Sequence, residues 1–284
     1  MSSLLNNPAI QSSLLPLLLA LGLTGLIRAA FGPQLGGRLA CAAIAMGFMA
    51  SLVLIQAPVF PPRSASQKLP YLVVIALALG LVLDSLNLRA RAVSMAGILL
   101  SLGALGWLLG SRIDRIDLAG WALILVLMAF ALLANWRITA AADRIDGSIM
   151  LLLASGGVGA ISLVGASASI AQTGFAMMAA CGGFVLWNWP RLRFALGASA
   201  SCVLITALVA LCAQLLFFTQ ASGWALLMLS PLLLIDRLQA QLPGLKNITH
   251  PGPRALCLTV LGALICAMAI AVALLSGSPS ASGY

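Results

Sequence analysis

Charged residues are scarce in this 284-residue chain, and glutamate is absent altogether. Only 7% of the residues are charged and 62% are hydrophobic, whereas soluble domains have roughly 25% charged residues. So much apolar surface is not buried inside one water-soluble core, but a bilayer accommodates it. The composition therefore predicts an integral membrane protein.

The side chains that carry most enzyme chemistry are also rare. The chain has one histidine, its six acidic residues are all aspartates, and it contains no P-loop, H-E-x-x-H or C-x-x-C motif. Haem ligation, zinc hydrolysis, P-loop nucleotide binding and intramembrane proteolysis all need partner side chains that the apolar runs lack. We therefore expect no enzyme activity, no metal site and no cofactor.

The net charge of +9 does not indicate a nucleic acid partner, because no basic cluster is interleaved with aromatic residues. The basic residues instead stand in pairs between apolar runs. That arrangement is typical of loops beside an anionic membrane surface. We predict the lipid bilayer as the partner, and no nucleic acid.

The charges divide most of the chain into runs of the ~20 residues that a helix needs to cross a bilayer. Two runs, 147–190 and 194–235, contain no charge. As single helices they would be about 60 Å long, twice the hydrocarbon core, so each must turn back once. The prediction is an all-α polytopic transmembrane bundle of about ten spans: 14–31, 39–58, 70–86, 92–110, 118–136, 147–168, 172–189, 194–218, 222–238 and 255–275.

Lysine and arginine are distributed unevenly between the connections. Eleven of the 15 lie in odd-numbered connections and four lie elsewhere. The positive-inside rule then places the odd connections in the cytoplasm and both termini in the periplasm of a bacterial-type inner (plasma) membrane. No basic residue precedes the first apolar run, so we expect a retained span there and not a cleaved signal peptide.

The ninth span is the weakest, because it is short and contains Pro231. A re-entrant segment is the alternative. Ten spans also divide into two five-span halves, 14–136 and 147–275, which is the arithmetic of inverted-repeat transporters. In that case we expect broken helices at Pro231 and at its counterpart near Ser101 and Gly103. An apolar cavity would lie between them, with Gln214 as a polar contact.

Asp84 is the first candidate for an ion or transport site, because an ionisable residue within a membrane span is a functional hypothesis by default. It ends an apolar run shortly before Arg89 and Arg91. A half-solvated carboxylate at the interface, paired with arginine, is therefore the structural alternative, and we favour it. Gln214 in the eighth span is the second candidate.

The ninth connection is the longest hydrophilic stretch and holds Lys246 and the only histidine, His250. It is a candidate cytoplasmic docking loop. Its prolines and glycines are typical of turns, so a solvated connector is the alternative that we favour.

Two functions from different classes remain. The first is a permease for a small apolar or amphipathic solute. The alternative is a non-catalytic membrane-embedded subunit or scaffold of a larger complex, with membrane-protein partners bound through faces of small residues. Such faces occur in the fourth span (Gly103, Gly106, Gly110) and in the sixth (Gly156, Gly157, Gly159).

Overall fold

The structure, a computed structural model, describes residues 7–219, 221–242, 248 and 250–276. Most of these residues (83%) are helical and none of them forms a strand, which confirms the all-α bundle. The helices are α1 (Leu15–Phe31), α2 (Ala42–Ile55), α3 (Ala65–Ser85), α4 (Ala90–Leu109), α5 (Leu118–Ala140), α6 (Ile145–Val164), α7 (Ala168–Trp187), α8 (Ala198–Phe218), α9 (Gly223–Leu227), α10 (Ile235–Gln241) and α11 (Pro251–Ser276).

Eight helices are long and apolar enough to cross a membrane, and they correspond to every predicted span except the second and the ninth. The second, α2, is a shorter apolar helix of 14 residues. The ninth is interrupted: a 3-10 helix, Ser230–Leu234, separates α9 from α10. We call residues 223–241 the broken segment.

The interruption at Pro231 is therefore confirmed, but its expected counterpart is wrong. α4 is one continuous helix from Ala90 to Leu109 and passes through Ser101 and Gly103 without a break. The Ser101 hydroxyl donates to the Gly97 carbonyl at 2.8 Å, so this polar residue is satisfied within its own helix. A polar or small residue alone does not interrupt a helix, whereas proline removes a backbone donor.

Contacts between connections separate the bundle into two ends. We call the end formed by the odd-numbered connections the basic end, because it has most of the lysines and arginines. Its members are joined by three contacts: Leu196 N donates to Ala142 O at 3.0 Å, Arg137 pairs with Asp236, and Arg254 pairs with Asp146.

The even-numbered connections meet at the other end, which we call the opposite end. Three contacts join them: Arg112 Nη1 to Phe217 O at 3.0 Å, Lys68 Nζ to Trp107 O at 2.7 Å, and Gly165 against Ala221. The broken segment follows Ala221 at this end and reaches the basic end at Asp236. It therefore crosses the bundle, and the re-entrant alternative is wrong.

The central helix of the bundle is α8. It packs against α2, α3, α4, α5, α6 and α7, and every residue from Ala198 to Leu215 is buried. Small residues allow this packing: a Cβ on Gly80 of α3 would lie only 2.5 Å from the Cα of Ser199. Close backbone approach is how helices gain contact in lipid, where no hydrophobic force drives them together.

Helices of the two proposed halves interleave, since α1 packs against α7 and α3 packs against α8. The division into inverted halves, 14–136 and 147–275, stays a prediction.

Candidate functional site

An apolar cleft of about 240 Å³ lies between α5 and the broken segment. Phe130 and Leu133 of α5 form one wall and Leu229 of the broken segment forms the other. Val158 of α6 and Cys212 of α8 contribute to the floor.

The helix break explains why the cleft exists. The main contact of α5 with the broken segment is made through the 3-10 helix, Ser230–Leu234. Towards the opposite end the two diverge, and the gap between them is the cleft. Val126 of α5 and Leu227 of α9 both line it and are 38% and 37% exposed. The cleft therefore opens sideways, on the surface that faces lipid in a membrane.

The interior of the cleft offers few polar groups. The Ser230 hydroxyl, which lines it, donates to the Leu227 carbonyl at 2.7 Å. An apolar cavity of ~150 Å³ in a protein core stays dry and binds benzene, so this larger cleft suits hydrocarbon. A polar solute would lose its hydration there without compensation.

Arg137 of α5 stabilises the break at the basic end. Its Nε donates to the Leu233 carbonyl at 3.2 Å, and its guanidinium pairs with Asp236 of α10. The two side chains are only 7% and 13% exposed. An interrupted helix leaves carbonyls without a helical partner, which lipid cannot supply. Arg137 satisfies one of them and neutralises Asp236.

Sequence reasoning missed this pair. Asp236 stands beside Arg237 in the sequence, but Arg237 is exposed and its guanidinium lies 5.5 Å from the centre of the Trp136 ring. Pro231 did signal unsatisfied backbone groups. Nothing in the sequence identified the arginine of a distant helix as the group that would satisfy them.

A second ion pair holds the start of α11. Arg254 Nη2 lies 2.7 Å from Asp146 Oδ2, and Arg254 Nε lies 3.3 Å from Asp146 Oδ1. This bidentate arrangement is the stronger form of an arginine–carboxylate contact. The broken segment and α11 are thus both tied to the bundle at its basic end.

Asp84 joins α3 to the first turn of α8. Its Oδ1 accepts from Ala198 N at 2.6 Å, and its Oδ2 accepts from Ser199 N at 2.8 Å and from the Ser199 hydroxyl at 2.6 Å. Cys41, which precedes α2, has its Sγ 3.2 Å from the same hydroxyl. The carboxylate thus satisfies amides at the positive end of the α8 dipole.

This position corrects the interpretation of Asp84 as a half-solvated partner of Arg89 or Arg91. The side chain is 9% exposed and takes part in neither ion pair found among the described residues. It lines a pocket of about 260 Å³ at the basic end, together with Asp143 and Arg38. Its role as an ion or transport site stays a prediction.

Gln214 is buried in α8, and its Nε2 has no hydrogen-bond partner among the described residues. It does not line the cleft: two residues beyond Cys212, it lies about 200° around the helix. α4 contributes no lining residue either. A cavity was expected between the fourth and ninth spans. The cleft lies instead between α5, α6, α8 and the broken segment. A transport role for Gln214 stays a prediction.

In the ninth connection, Lys246 lies outside the described residues. His250 is exposed, and its carbonyl accepts from Arg254 N at 3.0 Å at the start of α11. The docking-loop hypothesis stays a prediction.

The two faces of small residues have different surroundings. In α6, a Cβ on Gly157 would lie 2.7 Å from Leu229 Cδ2, so that face packs inside the chain. In α4 and at the residue that follows it, a Cβ on Gly103, Gly106 or Gly110 would meet no atom of the described residues within 4 Å, and all three glycines are exposed.

No known protein-family model matches this chain, and no curated protein is detectably similar to it.

Proposed function

We propose that this multi-pass membrane protein is a permease for an apolar or amphipathic solute, which enters the cleft sideways from the lipid. The observation that carries the proposal is the cleft of about 240 Å³ that opens between α5 and the broken segment. Pockets of a few hundred Å³ with mainly apolar walls are typical of small-molecule sites.

The broken segment is the element that we expect to move. Arg137 pairs with Asp236 and fixes the part of the broken segment that lies at the basic end. The part towards the opposite end lines the cleft with apolar side chains. Non-helical backbone in a membrane protein is tolerated where it lines a cavity, and transporters use such interruptions at their binding sites. Movement of α9 about the 3-10 helix would widen or close the cleft.

A translocation assay in liposomes tests the permease. The probe is a phospholipid with a fluorophore that dithionite bleaches only in the outer leaflet. We expect reconstituted protein to raise the rate at which inner-leaflet probe becomes bleachable. A rate equal to that of protein-free liposomes contradicts the proposal.

The proposed orientation places the basic end in the cytoplasm of an inner membrane, by the positive-inside rule. Single cysteines at two exposed arginines test it: Arg63→Cys at the opposite end and Arg144→Cys at the basic end. We expect a membrane-impermeant maleimide to label position 63 in intact cells and position 144 only after lysis. The reverse pattern would invert the orientation.

A second candidate, the subunit of a larger complex, is favoured by the open glycine face formed by α4 and its C-terminal cap residue, Gly110. Gly103, Gly106 and Gly110 leave space for another helix to approach closely. If a partner binds there, Gly106→Leu abolishes its co-purification in mild detergent, whereas Gly22→Leu, at an exposed and uncrowded position of α1, does not.

A further inference from the structure

The cleft adjoins a second cavity at the opposite end. That cavity has a volume of about 470 Å³ and is lined by Arg112, Ile116 and Asp117. Leu123 of α5 and Leu216 of α8 line both cavities. An arginine at the end of the bundle therefore lies in a cavity that is next to hydrocarbon-lined space.

Arg112 is held in place by a backbone carbonyl and an aromatic ring. Its Nη1 donates to the Phe217 carbonyl at 3.0 Å, and its guanidinium carbon lies 4.3 Å from the centre of the Phe218 ring. It belongs to neither ion pair among the described residues. The side chain is exposed, so its remaining N–H groups are available to an anionic ligand.

Asp117 is the acidic side chain among the described residues that line the same cavity, and it already has a structural partner. Its Oδ1 accepts from Gly120 N at 2.8 Å and caps the first turn of α5. Its charge is therefore directed towards the helix dipole. A guanidinium with free donors favours a phosphate or carboxylate group at this mouth.

The length of the cleft is close to that of an acyl chain. Its α5 residues run from Leu123 to Leu133, a distance of about 15 Å at the helical rise. The hydrocarbon core is ~30 Å thick, so an acyl chain of one leaflet spans about the same distance. Ser230, the first residue of the 3-10 helix, lines the cleft on the side of the break.

We propose that this site binds a phosphoglycerolipid from the opposite-end leaflet, with the phosphate on Arg112 and one acyl chain in the cleft. The inference rests on the proposed function and names its substrate class. The charge of Arg112, the apolar walls and a length close to that of an acyl chain together select an amphiphile with a phosphate and a long chain.

Native mass spectrometry of the full-length protein in detergent tests recognition of the phosphate. Phosphatidylglycerol and diacylglycerol with identical acyl chains are the probes, because they differ in the phosphate group. We expect phosphatidylglycerol to bind about tenfold more tightly, the effect of one charge-assisted contact. Arg112→Gln should remove this preference, and Arg63→Gln, an exposed arginine at the same end, should keep it. A preference unchanged by Arg112→Gln overturns the proposal.

Gly223→Leu tests the position of the acyl chain. A Cβ there would lie 3.4 Å from Leu216 and 3.7 Å from Leu123, where the two cavities meet, so a longer side chain blocks the junction. We expect it to weaken binding of both lipids, and we expect Gly22→Leu on α1 to weaken neither. Binding that survives Gly223→Leu means that the chain lies elsewhere and overturns the proposal.

Failure of this inference is distinguishable from failure of the permease. Equilibrium binding requires no translocation, so phosphate-dependent binding without dye translocation supports the lipid site and contradicts the permease. Translocation that is unchanged by Arg112→Gln, together with equal binding of the two lipids, contradicts the lipid site and leaves the permease in place.

Discussion

The two ends of the bundle are held together by different chemistry. At the basic end, Arg137 with Asp236 and Arg254 with Asp146 form the two ion pairs found among the described residues, and Asp84 caps α8. At the opposite end, Arg112 bonds a backbone carbonyl and faces an open cavity. One end is fixed by charge pairs. At the other end, Arg112 has no ion-pair partner among the described side chains and lies beside apolar space.

This difference suggests that the basic end stabilises the bundle and that the opposite end binds the ligand. Buried charge pairs are sensitive to the loss of either partner, so the basic end resists separation of its helices. The opposite end has fewer polar links across the cleft, so changes there should alter ligand binding more than stability. The substitutions below test that contrast, from the largest expected effect on stability to the smallest.

Arg137→Leu should have the largest effect. It leaves Asp236 buried without a counter-charge and removes the donor to the Leu233 carbonyl. We expect the free energy of unfolding to fall by about 3–5 kcal/mol, measured by denaturant titration in detergent micelles. The double variant Arg137→Leu/Asp236→Leu should recover part of the loss, because no unpaired charge remains. Equal stability of Arg137→Leu and the exposed-site control Arg237→Leu would show that the pair is unimportant.

Asp84→Asn should have the second-largest effect on stability. The loss should exceed that caused by removing the charge of a carboxylate at the membrane interface. An amide keeps one acceptor oxygen but presents N–H groups to donors that the carboxylate now satisfies. We expect a loss of about 2–3 kcal/mol, by the same titration. Asp143→Asn, at an exposed position of the same end, should change stability by less than ~0.5 kcal/mol. Equal losses in the two variants would refute the capping role.

Arg254→Gln should have an intermediate effect. The arginine side chain is 30% exposed, whereas its partner Asp146 is 1% exposed. Water screens one side of the pair, so we expect a loss of about 1–2 kcal/mol. Thermal unfolding monitored by intrinsic tryptophan fluorescence would measure it. Arg144→Gln, at an exposed position of the same end, is the control.

Arg112→Gln should have the smallest effect on stability. The side chain is exposed and makes one hydrogen bond and one ring contact, so we expect a change within ~0.5 kcal/mol. A loss as large as that of Arg137→Leu would mean that the opposite end is also held together by charge, and the contrast between the ends would disappear.

The positions of the eight long helices and the grouping of the connections into two ends followed from the sequence, because charges are excluded from hydrocarbon and so mark where helices end. The number of ten spans and the side of the membrane that each end faces stay predictions. The interruption at Pro231 followed for a similar local reason. The neighbours of each helix did not follow. A helix that faces lipid and one that faces protein are both apolar on every side. The sequences of α8 and α11 therefore look alike, although 83% of the most apolar 18-residue stretch of α8 is buried and only 22% of that of α11 is.

The partners of polar side chains were equally hidden. Asp84 lies close to Arg89 and Arg91 in the chain, yet it bonds Ser199 on another helix. Sequence proximity favours a local pair, and only the packing of α3 against α8 brings the correct donor near. The predicted position of the cleft was wrong for the same reason, because its walls come from helices that are distant in sequence.

The central position of α8 has a consequence for biosynthesis. Its six neighbours, α2 to α7, precede it in the chain, so a ribosome releases all of them into the membrane first. They cannot complete their packing until α8 arrives, and lipid must fill its place in the meantime. Folding of this protein therefore depends on a helix that is synthesised late. A nascent chain that stalls after α7 would lack its central helix and would be open to the quality-control proteases of its membrane.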